Sequence, residues 1–268
     1  MAKQPRSIDI TGQMILLGTG TSVGVPALGC NCPVCVGQLP RNIRTRCSAI
    51  LGFAQGNLLI DTSPDLRTQF LREGLGVAHA VLYTHEHSDH VMGFDDLRLF
   101  QFYLGTPVPV YCQPHVAKCL RRVFDYAFSD EEQTHAGAVP AVDIREIGTE
   151  PFQALGQKVI PIPMEHGPKF GVLGFRVGNV AYCTDVSAIP DSSRKLLEGL
   201  DTLVLDALRP AAHPTHLNVE QAIEIAQELK PGKTYFTHCA CHLDYYEVNS
   251  QLPPGIELGY DGLRIPLT

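Results

Sequence analysis

Thr84-His85-Glu86-His87-Ser88-Asp89-His90 is the stretch around which the chain is organised. The apolar run Ala80-Val81-Leu82-Tyr83 before it reads as a short buried strand, and Gly93 follows soon after. Three imidazoles and a carboxylate therefore gather where a strand ends and the chain turns, which is where α/β proteins put their chemistry. In extended backbone His85 and His87 point to one side together, while Asp89 and His90 turn back toward a second point. Two groups of nitrogen and oxygen donors a few residues apart suit two metal ions that share a ligand or a water. A plain polar loop is the competing reading. Histidine, however, supplies only 11 of 268 residues, and three of them fall within six positions here.

Working outward, residues 13–17 form a compact apolar strand that runs into Gly18-Thr19-Gly20-Thr21-Ser22-Val23-Gly24-Val25-Pro26. This loop lacks the Lys-Ser/Thr ending of a phosphate loop, so its small residues are expected to let the backbone pass close to the metal site. Cys30-Asn31-Cys32-Pro33-Val34-Cys35 follows, a tight knuckle whose three thiols can wrap one tetrahedral ion and leave one vertex open. Arg41, Arg44 and Arg46 read as a solvated loop, with reach to an anionic substrate as the alternative. Residues 47–53 and 57–60 form a strand pair ending at Asp61, and a helix with Pro64 at its first position runs to about Arg72 before Gly74.

Beyond the central stretch, residues 109–112 read as a strand and 114–128 as a helix, with further strands at 143–147 and 158–163. His115 and His135 belong to no motif. His166 stands at a strand end before Gly167, and the hairpin Phe170–Val177/Val180–Cys183 delivers Thr184-Asp185. A hydrophobic strand at 203–207 is followed by His213 and His216 just before the helix Val219–Leu229. Strand Lys233–Thr237 ends at His238, with Cys241 and His242 close behind, and residues 259–265 are expected to close a last hairpin.

Composition bounds what these donors serve. A hydrophobic fraction of 44% and a charged fraction of 18% describe an ordinary globule with a substantial core. A net charge of −7 argues against a protein that coats nucleic acid, while leaving room for a small phosphate ester as substrate. The polar start, with Lys3 and Arg6, and the lack of any apolar segment of membrane length make a cytoplasmic location the expectation. Nine cysteines then point to metal binding and buried thiols rather than disulfides. No repeat or low-complexity linker interrupts residues 1–268, so one domain is expected.

His85-Glu86-His87-Ser88-Asp89-His90 resembles the HxHxDH signature of the metallo-β-lactamase superfamily, and the later motifs stand in that family's order from about residue 14 to 266. The resemblance implies an α/β fold, an αββα sandwich with two metals at one edge of its paired sheets. It implies that His85, His87 and His166 hold one ion, that Asp89, His90 and His238 hold the other, and that Asp185 bridges them. Asp61 matches the family's non-ligand aspartate, which orients a metal-bound histidine from behind. The cysteine knuckle, and Tyr260-Asp261-Gly262 near the end, resemble the branch that contains the phosphoribosyl cyclic phosphodiesterase of phosphonate breakdown and a pyrroloquinoline quinone biosynthesis protein. In that branch a histidine three residues after the last metal histidine completes a structural zinc site. Cys241 stands there in this chain, a departure that chemistry tolerates because four thiolates suit zinc, and His242 is the fallback.

His216 stands before its helix as a proton-donating histidine does in the related tRNA-processing endonucleases, so the resemblance makes it the general acid, with His213 the weaker candidate and a helix-capping role the alternative. A hydroxide between the two cations would be the nucleophile, since one metal alone lowers the pKa of water from ~15.7 to about 7 in the best case. The expectation is a phosphodiesterase that opens ribosyl cyclic phosphates, using two divalent ions (manganese or zinc) and one structural zinc. Its expected partner is a small phosphodiester, without a membrane or nucleic acid, and a homodimer is left open. A tRNA 3′-end endonuclease is disfavoured by the acidic charge and the lack of a long basic arm. Thioester or β-lactam hydrolysis needs no donor histidine so placed. A non-catalytic metal-binding protein of cofactor biosynthesis is the reading from a different class.

Overall fold

The computed structural model describes residues 5–37, 39–129, 135, 137–168 and 170–267; Lys3 and the rest of 1–4 lie outside them. Two seven-stranded sheets are stacked face to face. The first half of the chain supplies β1 (Gln13–Gly18), β2 (Ser48–Phe53), β3 (Gly56–Ile60), β4 (Ala80–Leu82), β5 (Val108–Cys112) and β6 (Val142–Glu146). The second half supplies β7 (Phe152–Ala154), β8 (Gln157–His166), β9 (Phe170–Val177), β10 (Val180–Cys183), β11 (Thr202–Asp206), β12 (Lys233–Thr237) and β13 (Ile256–Leu258). A last strand, β14 (Leu263–Pro266), returns to pair with β1.

Period-two alternation builds the layers. In β1, Met14 and Leu16 face the core between the sheets, while Ile15 and Leu17 face the helices outside. In β3, Leu58 and Ile60 point inward and Leu59 outward, and in β11 Val204 points inward while Leu203 and Leu205 meet the other helical layer. Three apolar layers thus lie helix on sheet, sheet on sheet and sheet on helix, which is the αββα sandwich that the resemblance implies.

Each sheet is antiparallel at one side and parallel at the other, with β3-β4-β5-β6 and β10-β11-β12-β13 running parallel. The carboxyl ends of these parallel runs carry Asp61, the 84–90 stretch, Asp185, Asp206 and His238. That end of a parallel sheet is where crossover loops leave room for ligands.

Several local expectations need correction. The loop 18–26 passes close to the metal cluster as expected, bridging Gly20 to Cys239, but its glycines serve a different contact. A Cβ on Gly18 would lie 2.0 Å from the Arg46 carbonyl oxygen, so these glycines let the loop lie against backbone 44–46. The loop reaches the site one residue removed, because the Cys239 N–H donates to the Thr19 carbonyl at 2.8 Å, next to His238. Of the three loop arginines only Arg44 departs from the solvated reading, since Arg41 is exposed and Arg46 half-buried, and all three are engaged by the protein itself. Arg44 is 1% exposed and donates to the Ala240 and Leu243 carbonyls, Arg41 lies over the Tyr245 and Tyr260 rings, and Arg46 pairs with Asp65 at 3.1 Å.

The helix expected from Pro64 starts at Leu66 instead, because the Asp65 carboxylate is drawn back to Arg46. The helix from Pro114 ends at Val123, where Phe124 leaves helical geometry (φ −113°, ψ 42°) and its ring stacks on Phe94 at 4.6 Å. Residues 259–265 form no hairpin: β13 continues the second sheet beside β12, and residues 259–262 cross to the first sheet. Asp261 pins that crossing. Its carboxylate accepts from the backbone and hydroxyl of both Thr19 and Thr45 at 2.6–2.9 Å and meets Arg72 at 3.1 Å.

Candidate metal centre

Three of the strand-end residues, Asp61 (φ 62°), Asp185 (φ 58°) and His238 (φ 58°), adopt the left-handed backbone conformation. Each follows directly on β3, β10 or β12, with Thr184 between β10 and Asp185. A left-handed turn there ends the strand abruptly and swings the side chain over the sheet edge. Such φ values disfavour side chains and concentrate at functional positions.

The side chains converge. Ligand atoms of His85, His87 and His166 lie within 4.8 Å of one another, and so do those of Asp89, His90, Asp185 and His238. Asp185 stands between the groups. Its Oδ2 is 3.1 Å from His90 Nε2, while its Oδ1 is 3.4 Å from His238 Nε2 and 3.9 Å from the Nε2 atoms of His85 and His166. Glu86 turns outward to His115 Nε2 at 3.2 Å.

Neighbours fix which ring nitrogen is free. His90 Nδ1–H donates to Asp61 Oδ2 at 2.7 Å. The Thr84 hydroxyl also donates to Asp61, so its oxygen can accept Nδ1–H of His85 at 2.9 Å. His166 Nδ1–H donates to the Thr215 carbonyl at 2.8 Å. In its neutral form each of the three rings therefore carries the lone pair on Nε2, and a hydrogen-bonded partner behind a ligand both orients the ring and raises its basicity.

The Nε2 atoms of His85, His90 and His238 are buried and form no hydrogen bond. Each such orphan costs about 1–3 kcal/mol when nothing compensates it, so the donor set fits cations. Electrostatics agree. Burial alone would raise the Asp185 carboxyl, but His238 and His90 outweigh it and hold the group well below the usual carboxylate range. Burial, reinforced by His90, pushes His85 well below the ordinary imidazole value, which leaves it neutral and ready to ligate.

Beside this cluster lies a residue the sequence did not single out. Asp206, fully buried at the end of β11, sets Oδ1 3.3 Å from His216 Nδ1 and 3.7 Å from His238 Nδ1, while Oδ2 accepts from the Leu217 N–H at 3.0 Å. The rings of His216 and His238 stack at 4.5 Å, nearly parallel. One carboxylate thus sits behind both a metal-ligand candidate and the proton-donor candidate. His213, 5.2 Å from His216, lies farther out and bonds Thr215. The only signal for Asp206 in the sequence was a carboxylate closing an apolar strand. Thr84 and Thr215 gave none.

The cysteines gather apart from this centre. Sulfurs of Cys30, Cys32, Cys35 and Cys241 lie within 4.8 Å of one another, with Cys30 and Cys241 at 4.0 Å, and His242 is exposed and stands outside the group. Sulfurs around a tetrahedral zinc are about 3.8 Å apart, from Zn–S bonds of about 2.3 Å. The Cys35 N–H bond draws Cys32 down to about 7, whereas burial, then Cys32, pushes Cys241 up to about 12. Four such thiols ionise together only around a cation. Cys241→Ala is expected to remove one zinc per chain and lower the melting temperature by several degrees, since about 1 kcal/mol shifts Tm by roughly 2–4 °C at this size. Cys241→His should be mild. Metal analysis with thermal melts checks this, and full zinc in Cys241→Ala with loss in His242→Ala would make His242 the fourth ligand.

Comparison with known proteins follows the same lines. Residues 56–239 match the family described as Beta-lactamase superfamily domain. A solved structure described as a new diphosphatase from the PhnP family is 41% identical, covers 94% of this chain and 96% of its own, and superposes with a TM-score of 0.88. Octanoyltransferase of Porphyromonas gingivalis W83 is 36% identical over 254 residues, 93% of this chain, but the chain spans only half (50%) of that protein's length. Zn²⁺-bound PqqB from Methylobacterium extorquens shares the fold, with a TM-score of 0.76 at 22% identity over 95% of this chain and 100% of its own.

Proposed function

Because this chain belongs to the metallo-β-lactamase superfamily, we propose that it is a metal-dependent hydrolase of small phosphoesters, cleaving a P–O bond in a cyclic ribosyl phosphodiester or a diphosphate. The observation that carries this reading is His216 held on Asp206 beside the His/Asp cluster, because a poor alkoxide leaving group needs a proton there. The PhnP-family diphosphatase, matched along nearly its whole length, supports P–O chemistry. The octanoyltransferase name describes a protein of which this chain matches half, so acyl transfer carries less weight.

Two divalent cations, zinc or manganese, held by His85, His87 and His166 and by Asp89, His90 and His238 with Asp185 between, would supply Lewis acidity and an activated water. The chain's own residues do the rest. Asp61 and Thr84 orient His90 and His85. With Nδ1 turned to Asp206, His216 is held so that Nε2 is the atom that would donate the proton. Cys30, Cys32, Cys35 and Cys241 would hold a structural zinc outside the reaction.

The test is a panel of cyclic ribosyl phosphates, linear phosphodiesters, diphosphates and thioesters, assayed with Mn²⁺ and with Zn²⁺. Turnover of a cyclic phosphate or a diphosphate well above the thioester is the expected result. Thioester turnover alone, or none with any substrate, would sink the reading.

A further inference from the structure

The hairpin that delivers His166 delivers an aromatic ring to the same rim. In the β8–β9 register His166 pairs directly with Phe170, the first residue of β9. The Phe170 ring meets His87 edge to face, with centroids 5.0 Å apart and an angle of 71°, and its centroid is 6.4 Å from that of His166. Phe170 is nonetheless 43% exposed. It is therefore a large apolar ring held against two metal-ligand candidates and still open to solvent.

His166 also faces the proton-donor candidate, its ring 4.8 Å from that of His216, with His213 5.2 Å from His216. A phosphoryl group over the cluster would send its leaving oxygen toward His216 and its retained substituent toward His87 and Phe170. We propose that Phe170 is the specificity-determining platform of the site, stacking on a planar ring in the retained part of the substrate, which makes the substrate class a nucleoside phosphoester rather than a bare sugar phosphate. Every base offers a π-face to such a platform, whatever its hydrogen-bonding edge. This rests on the phosphoester reading for the substrate's reacting group, but the stacking contact is separately measurable.

The experiment is equilibrium binding of two ligands to the metal-loaded protein: adenosine 5′-monophosphate, and ribose 5-phosphate, which carries the same phosphate without a base. Stacking on an aromatic side chain corresponds to about 5- to 150-fold in affinity. Wild type should prefer the nucleotide by a factor in that range. Phe170→Leu, similar in size but without a π-face, should erase the preference and leave ribose 5-phosphate binding unchanged, and Phe170→Trp should keep it. Equal or absent binding of the two ligands by wild type, or a preference that survives in Phe170→Leu, overturns the platform whatever the substrate panel gives. A preference lost in Phe170→Leu upholds it, even where that panel shows no phosphoester turnover and the hydrolase reading fails.

Discussion

Asp185→Asn is expected to abolish hydrolysis and to lower bound divalent metal while leaving the fold intact. The carboxylate presents one oxygen to His90 and the other to His238, His85 and His166, so it is placed to touch both cations. Asparagine keeps the shape and tolerates the left-handed backbone at this position, where alanine would add strain of its own. It loses the negative charge and one acceptor oxygen. The loss of metal affinity should exceed the roughly 10- to 100-fold seen when a partner behind a ligand is changed. Metal content per chain, turnover and circular dichroism measured on one preparation check this. Two metals retained with near-normal turnover would mean that Asp185 is not the bridge.

His216→Ala is expected to keep the metals and lose about 10²–10⁴-fold in rate on substrates whose leaving group is an alkoxide. A p-nitrophenyl ester leaves without help, and its hydrolysis should fall far less. Asp206→Asn should produce a mixed defect. It weakens the hydrogen bond behind His216 and removes the negative charge that stands 3.7 Å from His238 Nδ1, which forms no hydrogen bond. Its rate loss should therefore come with weaker metal binding, on the order of 10- to 100-fold. Equal losses of His216→Ala on both classes of leaving group would argue against proton donation, and unchanged metal affinity in Asp206→Asn would argue against the shared carboxylate.

How much of this was legible depends on how local the signal is. The 84–90 stretch announces itself because its donors are adjacent in sequence, and strands such as β1, β3 and β11 show as short continuous apolar runs. β7 and β13, with three residues each, are too short to carry a period. Asp206 has no neighbouring motif; only the fold reveals that it lies between His216 and His238. The Arg44 guanidinium reads as surface in sequence, since the carbonyls that bury it come from residues 240 and 243. Likewise the division of β13 and β14 between two sheets depends on Asp261 reaching Thr19 and Thr45, a contact across most of the chain.

The three left-handed residues at the strand ends set a trap for anyone improving this protein. Strain of this kind is worth ~1–3 kcal/mol at each position, and glycine would relieve it most directly at His238, whose buried ring nitrogens form no hydrogen bond, whereas at Asp61 it would orphan Thr84 and His90. A library sorted by heat resistance in the presence of a chelator would therefore enrich for glycine at position 238, and every such winner would have surrendered a metal-ligand candidate. Sorting with metal present reverses the ranking, because cations bound only by the native state then add to the stability of the chains that keep all three.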